Sequence, residues 1–236
     1  MDLGEKLSHA MEPHPVFTIK LSKLEIPISD TVVSMWIIMA ALILLSIFLT
    51  RKLTAVPNKR QNVAEIIVEF INNMVKDAIG GHHWKAFAPY LGTVALLLIT
   101  ANIVSIFNIV PGEGFKLRPP ARDINFTASM AVMSIIVTII AGIRYKKFSG
   151  WLKSFAEPTP VMVPFKILEL FIKPTSLALR LFGNILGAFI VMELLYMAMP
   201  AFLPAVFSIY FDLFDGILQA YVFMFLTSLY IAEAVE

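Results

Sequence analysis

Uncharged apolar runs as long as a bilayer is thick settle the solvent of a chain before any other feature does. Residues 31–50, 87–109 and 126–143 contain no Asp, Glu, Lys or Arg. Each can cross a hydrocarbon core of ~30 Å, which takes ~20 helical residues. Two longer apolar stretches, residues 160–199 and 203–236, follow and are parted by Pro200 to Pro204. Composition agrees: 58% of the 236 residues are hydrophobic and 15% charged, against ~45–50% and ~25% in soluble domains. The expected fold is an all-α integral membrane protein. It has five membrane-crossing helices in a single membrane domain, preceded by an external N-terminal segment over residues 1–30. That segment mixes charge, proline and short apolar pieces and is no signal peptide.

Residues 57–81 follow a different pattern. Val63, Ile66, Ile67, Phe70, Ile71, Met74 and Val75 recur at helical spacing, with Glu65, Glu69, Asn72, Asn73, Lys76 and Asp77 between them. This predicts an amphipathic helix lying on the membrane surface. The net charge of +2 makes no case for nucleic acid, and the absence of cysteine excludes disulfides and thiolate metal sites. Adjacent His82 and His83 point apart on a helix and, with Trp84, read as an interfacial anchor and not a metal site. The Phe and Met residues read as core and lipid contact, so no cofactor is expected. Arg122 and Asp123 read as solvated loop residues.

Orientation follows from Lys and Arg in the loops. With the N-terminus outside, Arg51, Lys52, Lys59, Arg60, Lys76, Lys85, Arg144, Lys146, Lys147 and Lys153 are cytoplasmic. Lys6, Lys20, Lys23, Lys116, Arg118 and Arg122 are then external. Ten against six favours this arrangement, and five crossings put the C-terminus in the cytoplasm. A helix over residues 160–199 is ~60 Å long at ~1.5 Å per residue. It must break at Pro164 or Pro174 or lie steeply tilted, and residues 203–236 pose the same problem. The two are expected to form a tilted hairpin around something curved.

Charge inside a membrane marks function by default. At ~100° per residue, Lys166, Glu169, Lys173, Arg180 and Asn184 share one face of the fourth crossing. Gly187 joins that face and Gly183 borders it, small enough for another helix to come close. Lys166 and Lys173 read as snorkelling to the cytoplasmic surface. On the fifth crossing Ser208, Asp212, Asp215, Gln219, Tyr230 and Glu233 also share a face. Arg180 has no carboxylate within a turn of its own helix, and its charge is permanent. The simplest completion is a carboxylate on another chain.

The run Lys173-Pro-Thr-Ser-Leu-Ala-Leu-Arg180-Leu-Phe-Gly-Asn184 resembles the signature of subunit a of F-type ATP synthases. Gln219-Ala-Tyr-Val-Phe-Met-Phe-Leu-Thr227 resembles its last helix, and Pro57-Asn-Lys-Arg-Gln-Asn-Val-Ala-Glu-Ile and Ala101-Asn102 also fit. The resemblance covers nearly the whole chain in the family's order. It implies a non-catalytic membrane subunit beside a rotating ring of c subunits, each with an ion-binding carboxylate. It also implies a b-subunit stalk and the rest of the complex as partners. Two half-channels would lead to opposite sides of the membrane, with Arg180 separating them and Gln219 close by. Asn184 matches a polar motif position, and Glu169 a carboxylate on the channel side in many members. A short chain without a targeting peptide fits a bacterial plasma (inner) membrane.

The sequence also departs from the pattern. Proton-type members place Glu nine residues after the arginine and His seven before the glutamine, where this chain has Phe189 and Asp212. Glu193 lies one turn beyond Phe189. Glu193 and Asp212, supported by Asp215, are therefore the expected outer access, and Glu169 lines the inner exit. The coupling ion, proton or sodium, stays open. A secondary transporter fits less well because no inverted repeat is visible. An intramembrane protease fits less well because Asp212 and Asp215 sit three apart on one helix, whereas a shared-proton dyad draws on two elements.

Overall fold

Lipid offers no hydrogen-bond partners to a backbone, so each apolar run must close its own ladder as a helix. The computed structural model describes residues 15–21, 24–51, 53–81, 83–104, 119–156, 159–198 and 206–235. Within them, helix α1 spans Asp30–Thr50, α2 Lys59–Ile79, α3 Trp84–Ile103, α4 Ile124–Ser154 and α5 Val163–Ala198. The last helix starts at Val206, passes through a π-helical segment, Ile209–Asp215, and continues as α6, Gly216–Val235. Five helices are long and apolar enough to cross a membrane: α1, α3, α4, α5 and the final π–α helix. The protein is thus an all-α, multi-pass membrane protein. The Pro200–Pro204 turn and most of the loop after α3 lie outside the described residues, as do residues 1–14.

Before α1 the chain forms an antiparallel hairpin of β1 (Pro15–Leu21) and β2 (Leu24–Ser29), with Ile19 opposite Ile26. The sequence reading left this stretch unstructured. Its apolar residues are too few for a crossing, and Pro13, Pro15 and Pro27 mask the alternation.

The packing is inside-out relative to a water-soluble bundle. Buried positions include Ala88, Ala95, Ala101, Ala131, Ala141, Ala178 and Ala220, while Leu44, Phe48, Ile140, Phe165 and Phe171 are exposed. Lipid tails are as apolar as leucine, so close backbone approach and van der Waals contact drive helix association here. One core joins Val94 and Leu98 of α3, Met130 of α4, Leu177 and Leu181 of α5, and Phe223 of α6. A second joins Ile71, Val75 and Ile79 of α2 to Leu91 of α3 and to Met224 and Ile231 of α6. Helix α2 therefore docks one apolar edge on the bundle, while Val63, Ile66, Val68 and Phe70 stay exposed.

Two helices carry local departures from regular geometry. The third crossing was expected over residues 126–143 with a stop at Arg144-Tyr145-Lys146-Lys147. The helix does break there, at a left-handed Lys147 (φ 59°, ψ 157°), and a second helical segment continues to Ser154. The chain reverses there and lays Trp151 against Gly142. A Cβ on Gly142 would come 2.7 Å from Trp151 Cδ1, so only glycine fits. Helix α5 passes through Pro174 and holds 36 residues. Pro164 is accommodated in its first turn, where a missing N–H costs nothing.

Candidate functional site

The two polar stripes meet at two levels. At one, Asn184 of α5 donates its Nδ2 to Asp215 Oδ2 at 2.6 Å. At the other, Lys173 Nζ lies 2.7 Å from Glu233 Oε2 and 3.4 Å from Glu169 Oε2, one turn back on its own helix. The Lys173 ammonium also sits 5.2 Å above the Tyr230 ring. Lys173 is thus ion-paired between helices. Otherwise α5 leans mainly on α4, and α6 on α3, α4 and α2, so the two stripes touch only along one edge.

Antiparallel register orders the rest. Arg180 is one turn before Asn184, and Gln219 one turn after Asp215, so the two come level across the hairpin. By the same register Asp212 stands level with Gly187. Glu193 lies about 9 Å further along the axis at ~1.5 Å per residue. The side chains of Glu193 and Asp212 lie outside the described residues. Asp212 and Asp215 both fall within the π-helical segment, a feature frequent at functional sites. Gly216, at the π-to-α junction, receives Asn102: the Asn102 Nδ2 donates to the Gly216 carbonyl at 2.9 Å.

Arg180 is exposed and makes no hydrogen bond or ion pair among the described residues. Gln219 is half-buried. Beside Arg180, a Cβ added to Gly183 or Gly187 would meet nothing within 4 Å. This face of α5 therefore presents a permanent cation and two small residues to open space.

At the Asn184 end of α5, Phe189 lies under the Arg122 guanidinium, 4.1 Å from ring centroid to Cζ. Asp123 accepts a hydrogen bond from the Asn125 amide, capping α4, and another from the Thr31 hydroxyl at 3.1 Å. Both residues were read as solvated loop positions. They instead tie the starts of α1 and α4 to α5. No local pattern signals this, because residues 31, 122 and 189 lie in separate elements.

At the opposite end, Lys146, Lys166, Glu169, Lys173, Tyr230 and Glu233 line a pocket of about 90 Å³ between α4, α5 and α6. Ile135, Ile139, Leu170 and Trp151 form its apolar wall. Among the described residues no group of three or more acidic or histidine side chains is placed to hold a metal ion.

Five crossing helices with polar stripes on the last two define a membrane protein of the ion-translocating kind. A model of the family described as ATP synthase A chain matches residues 32–232. The chain is 36% identical over 219 residues to "ATP synthase subunit a, sodium ion specific" of Propionigenium modestum, covering 89% of this chain and 75% of that one. It is 39% identical over 212 residues to "ATP synthase subunit a" of Moorella thermoacetica, covering 89% and 93% respectively. The chain belongs to this family, subunit a of the F-type ATP synthases, an ion-transporting component of the membrane (Fo) sector and part of a larger complex.

Proposed function

We propose that this chain is the stator of a rotary ion motor. It offers two half-channels to the carboxylates of a c-subunit ring, and Arg180 keeps the two apart. Cation flow is thereby coupled to ring rotation and to ATP synthesis by the attached head, while the chain itself catalyses no reaction. The b-subunit stalk holds it against rotation. The observation that carries the reading is the exposed guanidinium of Arg180, which has no hydrogen-bond or ion-pair partner among the described residues and is flanked by the open Gly183 and Gly187. A permanent charge on a membrane helix needs an answering carboxylate, and a close-packed neighbour can supply it there. Gln219, level with Arg180, assists in positioning.

With the N-terminus outside, the Asn184–Ala198 half of α5 faces outward. Cations then enter past Glu193, move to Asp212 and reach Asp215, which Asn184 holds one turn from Arg180. The register supports this graded order over a single shared-proton pair. On the cytoplasmic side the exit passes Glu169. The cation is a proton or sodium; the name of the Propionigenium modestum relative favours including sodium. The membrane is the bacterial plasma membrane, with α2 lying along its cytoplasmic face.

The test is Arg180→Ala in the whole complex reconstituted in liposomes. Coupled ATP synthesis is expected to vanish, with passive cation leak in its place. Synthesis at near wild-type rate would rule the assignment out. Driving the wild-type complex with a sodium gradient alone, protonophore present, identifies the ion: synthesis means sodium, and none means protons.

A further inference from the structure

We infer that Lys173 sets how tightly the inner exit holds a cation in transit. Its ammonium stands between Glu169 and Glu233 in the place a cation in transit would otherwise occupy. The inference rests on the reading of this pocket as the inner exit.

The charged groups facing Lys173 come from all three walls. Helix α4 brings Lys146, α5 brings Lys166 and Glu169, and α6 brings Tyr230 and Glu233. Of the three lysines, only Lys173 is within ion-pair distance of the two carboxylates among the described residues. Its side chain is 22% exposed, whereas those of Glu169 and Glu233 are 47% and 52% exposed. The ammonium is thus held inside, and the carboxylates open to the pocket.

Two carboxylates converging on one point form a cation site. A pathway conducts only if each stop binds weakly enough to release. A lysine fixed to the backbone is a competitor at high effective concentration. It occupies the carboxylates whenever no cation is passing and limits how long one stays. The favourable Glu-before-Lys order at i, i+4 holds it there.

Inverted membrane vesicles carrying the whole complex turn the cytoplasmic face to the medium. The readout is ATP-driven pumping as a function of transported-cation concentration in that medium. Lys173→Met is expected to lower both the half-saturating concentration and the maximal rate, each on the order of fivefold, the scale of a half-exposed ion pair. Glu233→Gln is expected to raise the half-saturating concentration, because Lys173 then outweighs the remaining carboxylate. Lys173→Arg should restore the value towards wild type. A change in maximal rate alone in Lys173→Met, or shifts in the same direction in Lys173→Met and Glu233→Gln, overturns the inference. Should Lys173→Met not assemble, Glu233→Gln and Glu169→Gln decide, and an unmoved half-saturation in both overturns it. Arg180→Ala in the same vesicles separates the two readings. If it still pumps, the inner exit itself is misassigned; if it does not, and Lys173 has no effect, only the present inference falls.

Discussion

Asp215 is held by an amide, not by a cation. The Asn184–Asp215 hydrogen bond is short, 2.6 Å, and joins two half-buried side chains. Hydrogen bonds to charged groups contribute ~1.5–3 kcal/mol. Asn184→Ala is therefore expected to slow ATP-driven pumping on the order of tenfold per assembled complex. Asn184→Asp should slow it more, because it sets like charge against like. Pumping in vesicles, normalised to the amount of this chain recovered with the complex, checks both. The stripes themselves were legible in the sequence, since 100° arithmetic needs only one helix at a time. The partners were not. Lys173 meets Glu233 sixty residues away, and Arg122 meets Phe189 across two elements. Such pairs depend on the register between helices, which packing alone sets.

Glycines fix how closely the helices approach. A Cβ on Gly216 would stand 2.9 Å from Asn102 Cβ, an atom too near the backbone to swing aside. Gly216→Ala must push α3 from α6 and disturb the Asn102 bond to the Gly216 carbonyl, at the ~1–3 kcal/mol typical of overpacking. A lower melting temperature of the purified complex is expected, and an unchanged one would contradict the close approach of the two helices. Apolar runs located the five crossings because lipid leaves the backbone no alternative to a helix. They could not locate irregularities that depend on tertiary support. The π-helical Ile209–Asp215 segment, the left-handed Lys147 and the β1–β2 hairpin all left no mark on periodicity. Of these, the π-helix matters most, because it carries both Asp212 and Asp215 and shifts the register of the last helix by the extra residue in its turn.

At the scale of the whole molecule, length exceeds thickness. Helix α5, with 36 residues, extends ~54 Å at ~1.5 Å per residue, against a hydrocarbon core of ~30 Å. It is expected to lie far from the membrane normal. The chain contains no cysteine, so single-cysteine variants report cleanly on both tilt and sidedness. Lys20→Cys should react with an impermeant maleimide in intact cells and Lys153→Cys only in inverted vesicles; the reverse pattern would invert the proposed orientation. Spin labels near both ends of α5 should sit at the two interfaces, and a deep label at either end would contradict the tilt.

The solitary charge of Arg180 bears on the life of the chain in a cell. An arginine at the middle of a membrane helix costs ~2.5–3.5 kcal/mol to insert, and no described group of this chain offsets that cost. A copy awaiting its partner therefore bears that cost uncompensated among the described residues and is expected to be the less stable form. Its half-life should lengthen once a carboxylate-bearing neighbour is supplied, and Arg180→Leu should make an orphan copy longer-lived though useless. Under the proposed role of Arg180, the same cation would also ration the protein to the number of partners available to receive it.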